Sequence, residues 1–225
     1  KINAKGAADL RNPEAESFVL DPEIKNVEFM DLVKLVGREN TSFSGPLSLS
    51  GHLETQTGPG TGPLAGLSGN LTANMGKGRV KALGPFGETL VEMLSLVSLK
   101  VFQTGKLLNE MNTEGIEFEK IDLKASFDNG MAKMEDFFLD SSGLDVRGAG
   151  TADLVNEKLD LGVGLMLFST LHKIMRVIPL LGKAASNMVT LYYVIKGPMN
   201  NPKVRAAPGL NLTEPGKEIL DAPGK

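Results

Sequence analysis

Two histidines, a set of dispersed aspartates and one glycine-proline loop are the residues here whose types could do chemistry. His52 and His172 are the only histidines in the chain. A histidine serves as base or metal ligand when a carboxylate, nucleophile or second ligand stands at a fixed spacing from it. No His-Glu-x-x-His is present, and cysteine is absent, which removes thiolate chemistry and cysteine-zinc sites. His52 reads as a strand residue and His172 as the polar side of a short helix, so neither is expected to be catalytic. Gly58-Pro59-Gly60-Thr61-Gly62-Pro63 has the outline of a phosphate loop. Such loops bind through backbone N–H groups at a helix start. Pro59 and Pro63 lack that donor, a strand pattern follows, and no Gly-Lys-Ser/Thr is present. Gly66-Leu67-Ser68-Gly69 lacks the Gly-x-Ser-x-Gly spacing of a nucleophile elbow. Asp122, Asp128, Asp136, Asp140, Asp145, Asp153 and Asp160 fall on different strands and turns, not in the dense alternation of a calcium loop. The reading is of a chain without catalysis, cofactor or metal.

The bulk composition narrows the class further. A 225-residue chain that is 41% hydrophobic can bury a core. Its net charge is −3, and its basic residues form no stripe with interleaved aromatics, so nucleic acid is not an expected partner. The longest apolar run, Leu161 to Leu171, is far short of the roughly 20 residues a helix needs to span a bilayer. The chain begins at Lys1 in what reads as mid-strand, and is expected to be a fragment of a longer protein.

Period-2 alternation dominates the elements that must position these residues. It predicts strands at Ile2 to Leu10, broken by Asn12-Pro13, and at Phe18 to Leu20 before Asp21-Pro22. Leu47, Leu49, Gly51 and Leu53 share one side of a strand over Pro46 to Glu54. Leu67 to Met75 alternates again, and Gly76-Lys77-Gly78 turns it into a return strand at Arg79 to Leu83. Ile116 to Phe127 meets Met131 to Leu139 across Asp128-Asn129-Gly130, with a parity slip between Phe118 and Ile121 that suggests a bulge. Leu144 to Leu154 pairs with Lys158 to Leu165, and Leu191 to Lys196 is the last clear strand. Helical spacing appears three times. A short helix carries Phe29, Leu32, Val33 and Val36, with Gly37 as its cap; a long one covers Glu88 to Met111; and a short amphipathic one presents Phe168, Leu171, Met175 and Ile178, ended by Pro179.

Two patterns recur, and repeats decide architecture. Leu71-x-Ala73 through Gly78 to Lys81 matches Leu123-x-Ala125 through Gly130 to Lys133. Gly6-Ala7-Ala8-Asp9-Leu10-Arg11-Asn12 is echoed by Gly150-Thr151-Ala152-Asp153-Leu154-Val155-Asn156. The expected fold is mainly β (α+β): an elongated, curved antiparallel sheet of repeated hairpins with two or three covering or capping helices. The expected domain is 1–205, with a possible sub-boundary near 84–88, followed by a poorly ordered tail over 206–225.

The order of features is more specific than any one of them. After the long helix come Gly115-Ile116-Glu117-Phe118-Glu119-Lys120-Ile121, the Asn129-Gly130 turn, Leu139-Asp140-Ser141-Ser142 and Arg147-Gly148-Ala149-Gly150. Then follow Ala152-Asp153-Leu154, Lys158-Leu159-Asp160, Ile178-Pro179-Leu180-Leu181-Gly182, Val194-Ile195-Lys196-Gly197-Pro198 and Asn201-Pro202-Lys203-Val204. This succession resembles the C-terminal region of AsmA-like proteins. The resemblance implies a periplasmic segment of a protein anchored in the inner membrane of a diderm bacterium through a part outside this chain. It also implies a hydrophobic β groove that carries phospholipid acyl chains between membranes, and it brings no catalytic residues.

An alternating strand has one apolar face that must be covered. Helices can seal it as a core, or it can line a trough. Leu159, Leu161, Val163 and Leu165 on one strand, with Leu144 and Val146 on its neighbour, are the candidate groove lining. An envelope module that handles lipid is the leading expectation. A structural or protein-interaction β domain with no lipid is the alternative, and a hydrolase with an unusual site is the third.

Overall fold

The computed structural model describes residues 1–12, 15–35, 37, 43–60, 62–81, 89, 115–141, 144–168 and 188–207. All of the expected helix over Glu88 to Met111 but Thr89, most of the one from Phe168 to Ile178, the sub-boundary near 84–88 and nearly all of the tail lie outside these residues. Phe168 itself ends a strand.

Thirteen strands and one short helix make up the described chain: β1 Ile2–Asp9, β2 Ser17–Glu28, α1 Phe29–Leu35, β3 Phe43–Ser44, β4 Pro46–Gln56, β5 Ser68–Met75, β6 Gly78–Val80, β7 Ile116–Phe118, β8 Lys120–Asp128, β9 Met131–Asp140, β10 Leu144–Asp153, β11 Lys158–Phe168, β12 Met188–Pro198 and β13 Lys203–Ala206. Ten of them form one sheet in the order β1-β2-β4-β5-β8-β9-β10-β11-β12-β13, and β3, β6 and β7 form a second, small one. Every pairing is antiparallel. Once the three strands of the small sheet are set aside, the large sheet follows chain order throughout. At about 4.8 Å per strand it measures roughly 43 Å across its nine gaps. The mainly β, hairpin-built expectation holds; of the two or three expected helices, only α1 lies within the described residues.

Local chemistry accounts for the turns. Asn129 and Gly130 take φ values of +47° and +79°, the left-handed pair that lets a two-residue loop match the twist of β8 and β9. A Cβ on Gly130 would also lie 2.7 Å from the Leu64 carbonyl oxygen and 2.8 Å from a Val155 methyl. Gly130→Ala is therefore expected to cost about 2 kcal/mol, from left-handed strain plus displaced neighbours, as read by chemical denaturation. The second repeat is structural: Asp9 and Asp153 close the first strand of their hairpins, and each carboxylate accepts the N–H two residues on, from Arg11 and Val155, both at 3.1 Å. Side-chain hydrogen bonds, from Arg11 to Asp9 and from Asn156 to Asp153, hold both carboxyls below their ordinary range.

The first repeat is not one unit. Its second copy is the β8–β9 hairpin, but in its first copy the return strand leaves the sheet. β5 pairs with β4 and β8, while β6 pairs with β3 and β7. The departure needs Gly78, where a Cβ would lie 1.9 Å from the Ser44 carbonyl oxygen. The parity slip between Phe118 and Ile121 is the same departure seen from the other side. Glu119 separates β7, in the small sheet, from β8, in the large one, so both apolar residues face the core without a bulge.

True bulges sit elsewhere. β9 gains one residue against both neighbours, with Ala125 and Gly150 opposite Met134 but Lys124 opposite Asp136 and Gly148 opposite Phe137. Glu135 and Asp136 are thus both exposed, while Met134 and Phe137 share the apolar face despite their odd spacing. A second bulge lies in β2 beside Asn26, at φ +51°. Strand β2 also runs through Asp21-Pro22, where a break was expected. Pro22 pairs with Ala4 on one side, and the β2–β4 pairing skips it on the other, where its missing N–H would have donated.

Candidate apolar trough

Register carries one face of the sheet across its width in four unbroken apolar rows. The first row is Val27, Leu47, Met75, Ile121, Leu139, Val146, Leu165 and Leu191. The second runs from Ile2 and Ile24 through Leu49, Ala73, Leu123, Phe137 and Gly148 to Val163 and Tyr193. The third is Gly51, Leu71, Ala125, Met134, Gly150, Leu161, Ile195 and Val204. The fourth is Gly6, Leu20, Leu53, Gly69, Phe127, Ala132, Ala152, Leu159 and Gly197. No row carries a charged side chain, and the Tyr193 phenol is the one polar group among them. With two residues between rows, the three intervals span about 20 Å along the strands.

The opposite face is mostly polar and pairs its charges locally, except across β10–β12, where Ala149, Gly162 and Gly164 are buried beside half-buried Val194. Asn74 donates to Asp122 at 2.6 Å, Lys120 meets Asp122 at 3.2 Å and Lys196 meets Asp160 at 2.9 Å. Phe138 lies between Arg147 and Lys120, 4.6 and 5.2 Å from its ring centre. His52 sits on this face with Asp21 at 2.6 Å, both about half exposed. His172 lies outside the described residues. Among the described residues no three His, Cys, Asp or Glu side chains cluster as a metal site would require, and no helix is long and apolar enough to cross a membrane.

Cover differs sharply between rows. In the first, Leu47, Met75, Ile121, Leu139, Val146 and Leu165 are buried, the last at 0% exposure. Phe118 and Val80 from the small sheet join this cluster, with Phe29 and Leu32 of α1 and Phe43 of β3 packed against it. Phe29 and Phe43 meet edge to face at 6.3 Å, which locks the helix to the small sheet. In the fourth row, by contrast, Leu20 is 43% exposed and Leu53, Phe127, Ala132, Ala152 and Leu159 are only half-buried. The second and third rows are half-buried from β4 to β9 and become buried at Val163, Tyr193, Ile195 and Val204. Among the described residues the face is therefore closed along its first row and at its β11–β13 corner, and only half-buried elsewhere.

The six candidate residues all lie on this face, in two settings. Leu144, Val146, Val163 and Leu165 are buried in the closed part, while Leu159 and Leu161 are half-buried at its border. The half-buried stretch is lined instead by Leu53, Leu71, Leu123, Phe127 and Met134, of which alternation had already placed Leu53 and Leu71 on one side of their strands.

Tyr193 marks how dry the closed corner is. Its side chain is 2% exposed, and burial pushes its phenol up to about 12. Because the neutral form is favoured in the folded state, the stability it contributes is complete below the unfolded value near 10 and is lost as pH rises from about 10 to 12. An alkaline melting series is expected to show a loss of about 2 kcal/mol over that window, with tyrosinate absorbance for this residue in the folded protein rising near pH 12 and not near 10.

Among the described residues the chain is thus a β protein built on a broad antiparallel sheet with one apolar face that is only partly covered. The family model described as YhdP protein matches residues 1–204 of the 225, and the chain belongs to that family, a group of bacterial envelope proteins of the AsmA type. No curated protein and no solved structure matches it.

Proposed function

We propose that this chain is a non-catalytic module of a periplasmic protein anchored in the inner membrane elsewhere in its length. Its unsealed apolar face holds phospholipid acyl chains on their way between the inner and outer membranes. The observation that carries this reading is the set of four rows free of charged side chains, buried at the first and half-buried at the fourth. Soluble domains cover such a face or expose it where something binds. Two further points support it. The roughly 20 Å depth of the rows exceeds the ~15 Å that one leaflet contributes to a ~30 Å hydrocarbon core. Membership of an envelope family supplies a setting in which lipid is the abundant apolar partner.

Native mass spectrometry after gentle extraction is expected to find phospholipid co-purifying with the chain. Protein that emerges free of lipid and binds none from vesicles would overturn the reading. A structural β domain without a lipid ligand is the second reading, favoured by the burial of Leu144, Val146, Val163 and Leu165, which read as core.

A further inference from the structure

We infer that the polar face carries a binding pocket for an uncharged saccharide, at the turn end of the β2–β4–β5 pairing. The inference is independent of the acyl-chain reading, because the pocket lies on the other face of the sheet. A cavity of about 480 Å³ is lined there by Ser17 and Val19 of β2, Glu54 and Gln56 of β4, Ser68 of β5 and Asn129 of the β8–β9 turn. That volume falls within the roughly 300–1,000 Å³ of small-molecule sites. Register puts the strand residues on one face: Ser17 stands opposite Gln56, Val19 opposite Glu54, and Glu54 opposite Ser68. Phe18 and Thr55, which alternate with them, belong to the apolar side. Two connections wall the cavity. Gly66 brings the β4–β5 loop hard against β4, since a Cβ there would lie 2.3 Å from the Gln56 carbonyl oxygen. Asn129 closes another side, its N–H donating to the Ser68 Oγ at 3.2 Å.

The chemistry of the lining selects the ligand. No Lys, Arg or His is among the lining residues, so an anion finds no counter-charge. The single carboxylate, Glu54, is exposed, and an exposed charge in water holds a cation weakly. A neutral partner remains. Elsewhere on this face Asp21, Asp122 and Asp160 are paired, whereas among the described residues the side chains of Ser17, Glu54 and Gln56 make no hydrogen bond or ion pair. The Asn129 amide nitrogen donates to Asp128 at 2.8 Å, which leaves its oxygen to accept, and Ser68 keeps its O–H to donate. Donors and acceptors are thus mixed, as sugar hydroxyls require, each being both. Adjacent strands set these groups about 5 Å apart and alternate residues of one strand about 7 Å apart, the span of a pyranose ring with its hydroxyls. Val19, half-buried in the middle of this polar set, offers an apolar floor to the C–H face of such a ring.

Titration of the isotope-labelled 225-residue chain, followed by NMR, tests the pocket. The probes are two uncharged disaccharides, N,N′-diacetylchitobiose and maltose, with spermidine and inorganic phosphate in parallel. At least one disaccharide is expected to give saturable shifts at the backbone amides of Val19, Glu54, Gln56 and Ser68 and at the side-chain amides of Gln56 and Asn129, and neither ion is. Glu54→Gln, at an exposed position, is expected to keep the fold and to weaken sugar binding about tenfold, since a charge-assisted hydrogen bond becomes a neutral one. Disaccharides that shift none of these amides overturn the inference. So does spermidine or phosphate shifting them in place of the sugars, or a folded Glu54→Gln protein that binds the sugars as tightly as the parent.

Discussion

Val163→Glu is expected to unfold this chain, not to block a conduit in a folded one. Val163 sits opposite Gly148 on one side and Tyr193 on the other, with exposures of 6% for the valine and 2% for the tyrosine. A carboxylate at so buried a position is cut off from water, so it must be desolvated or protonated at a cost of about 4 kcal/mol or more. Against a total stability of about 5–15 kcal/mol for a typical domain, that is enough to remove the cooperative melt. Val163→Ala, which leaves a cavity without a charge, should cost about 2 kcal/mol and remain folded. A glutamate variant that melts like the parent would show that the β11–β13 corner holds water.

Leu71→Glu is expected to do the opposite. Leu71 is half-buried in the third row, between Gly51 and Ala125, whose small size leaves room for a carboxylate to reach solvent. The melt should shift by no more than about 1 kcal/mol. Acyl binding should fall by about tenfold or more, since a buried leucine contact worth ~2 kcal/mol is replaced by a charge that a methylene chain cannot solvate. The two substitutions put the same side chain on the same face, and the difference between them is only cover. A Leu71→Glu protein that unfolds would place this stretch in a sealed core as well.

What alternation reveals and what it hides follow from the range of the forces involved. Pairing between adjacent strands is local, so the β8–β9 and β10–β11 hairpins are legible in Asn129-Gly130 and in Leu159, Leu161, Val163 and Leu165. The apolar face is legible for the same reason, because side chains on a strand alternate with period 2. Register against a distant strand is not local. The Glu135 bulge disguises Met134 and Phe137 as residues of opposite faces, and only the pairing with both β8 and β10 brings them together. β6 reads as the return arm of a hairpin because nothing near it in sequence announces β3 and β7. β13 is invisible for a simpler reason: Lys203 to Ala206 contains one buried residue, Val204, and its partner strand supplies the rest of the signal. Cover is the least legible property. The six candidate residues were found by periodicity, which identifies a face but says nothing of what lies over it. Four proved buried and two half-buried because the first row and the β11–β13 corner are closed.

Site-specific photocrosslinking tests the central claim most directly. A benzoylphenylalanine is placed singly at Leu53, Leu71 or Phe127 on the unsealed face, and at His52, Thr72 or Ser126 on the polar face one residue away from each. Irradiation in living cells, with the segment in its native protein, is followed by mass spectrometry of the product. Phospholipid adducts at the three apolar positions and none at the three polar ones are the expected result, because the alternation of the strand separates them by a sheet's thickness. Adducts to protein at the apolar positions, or lipid adducts on both faces alike, would contradict a lipid-bearing trough.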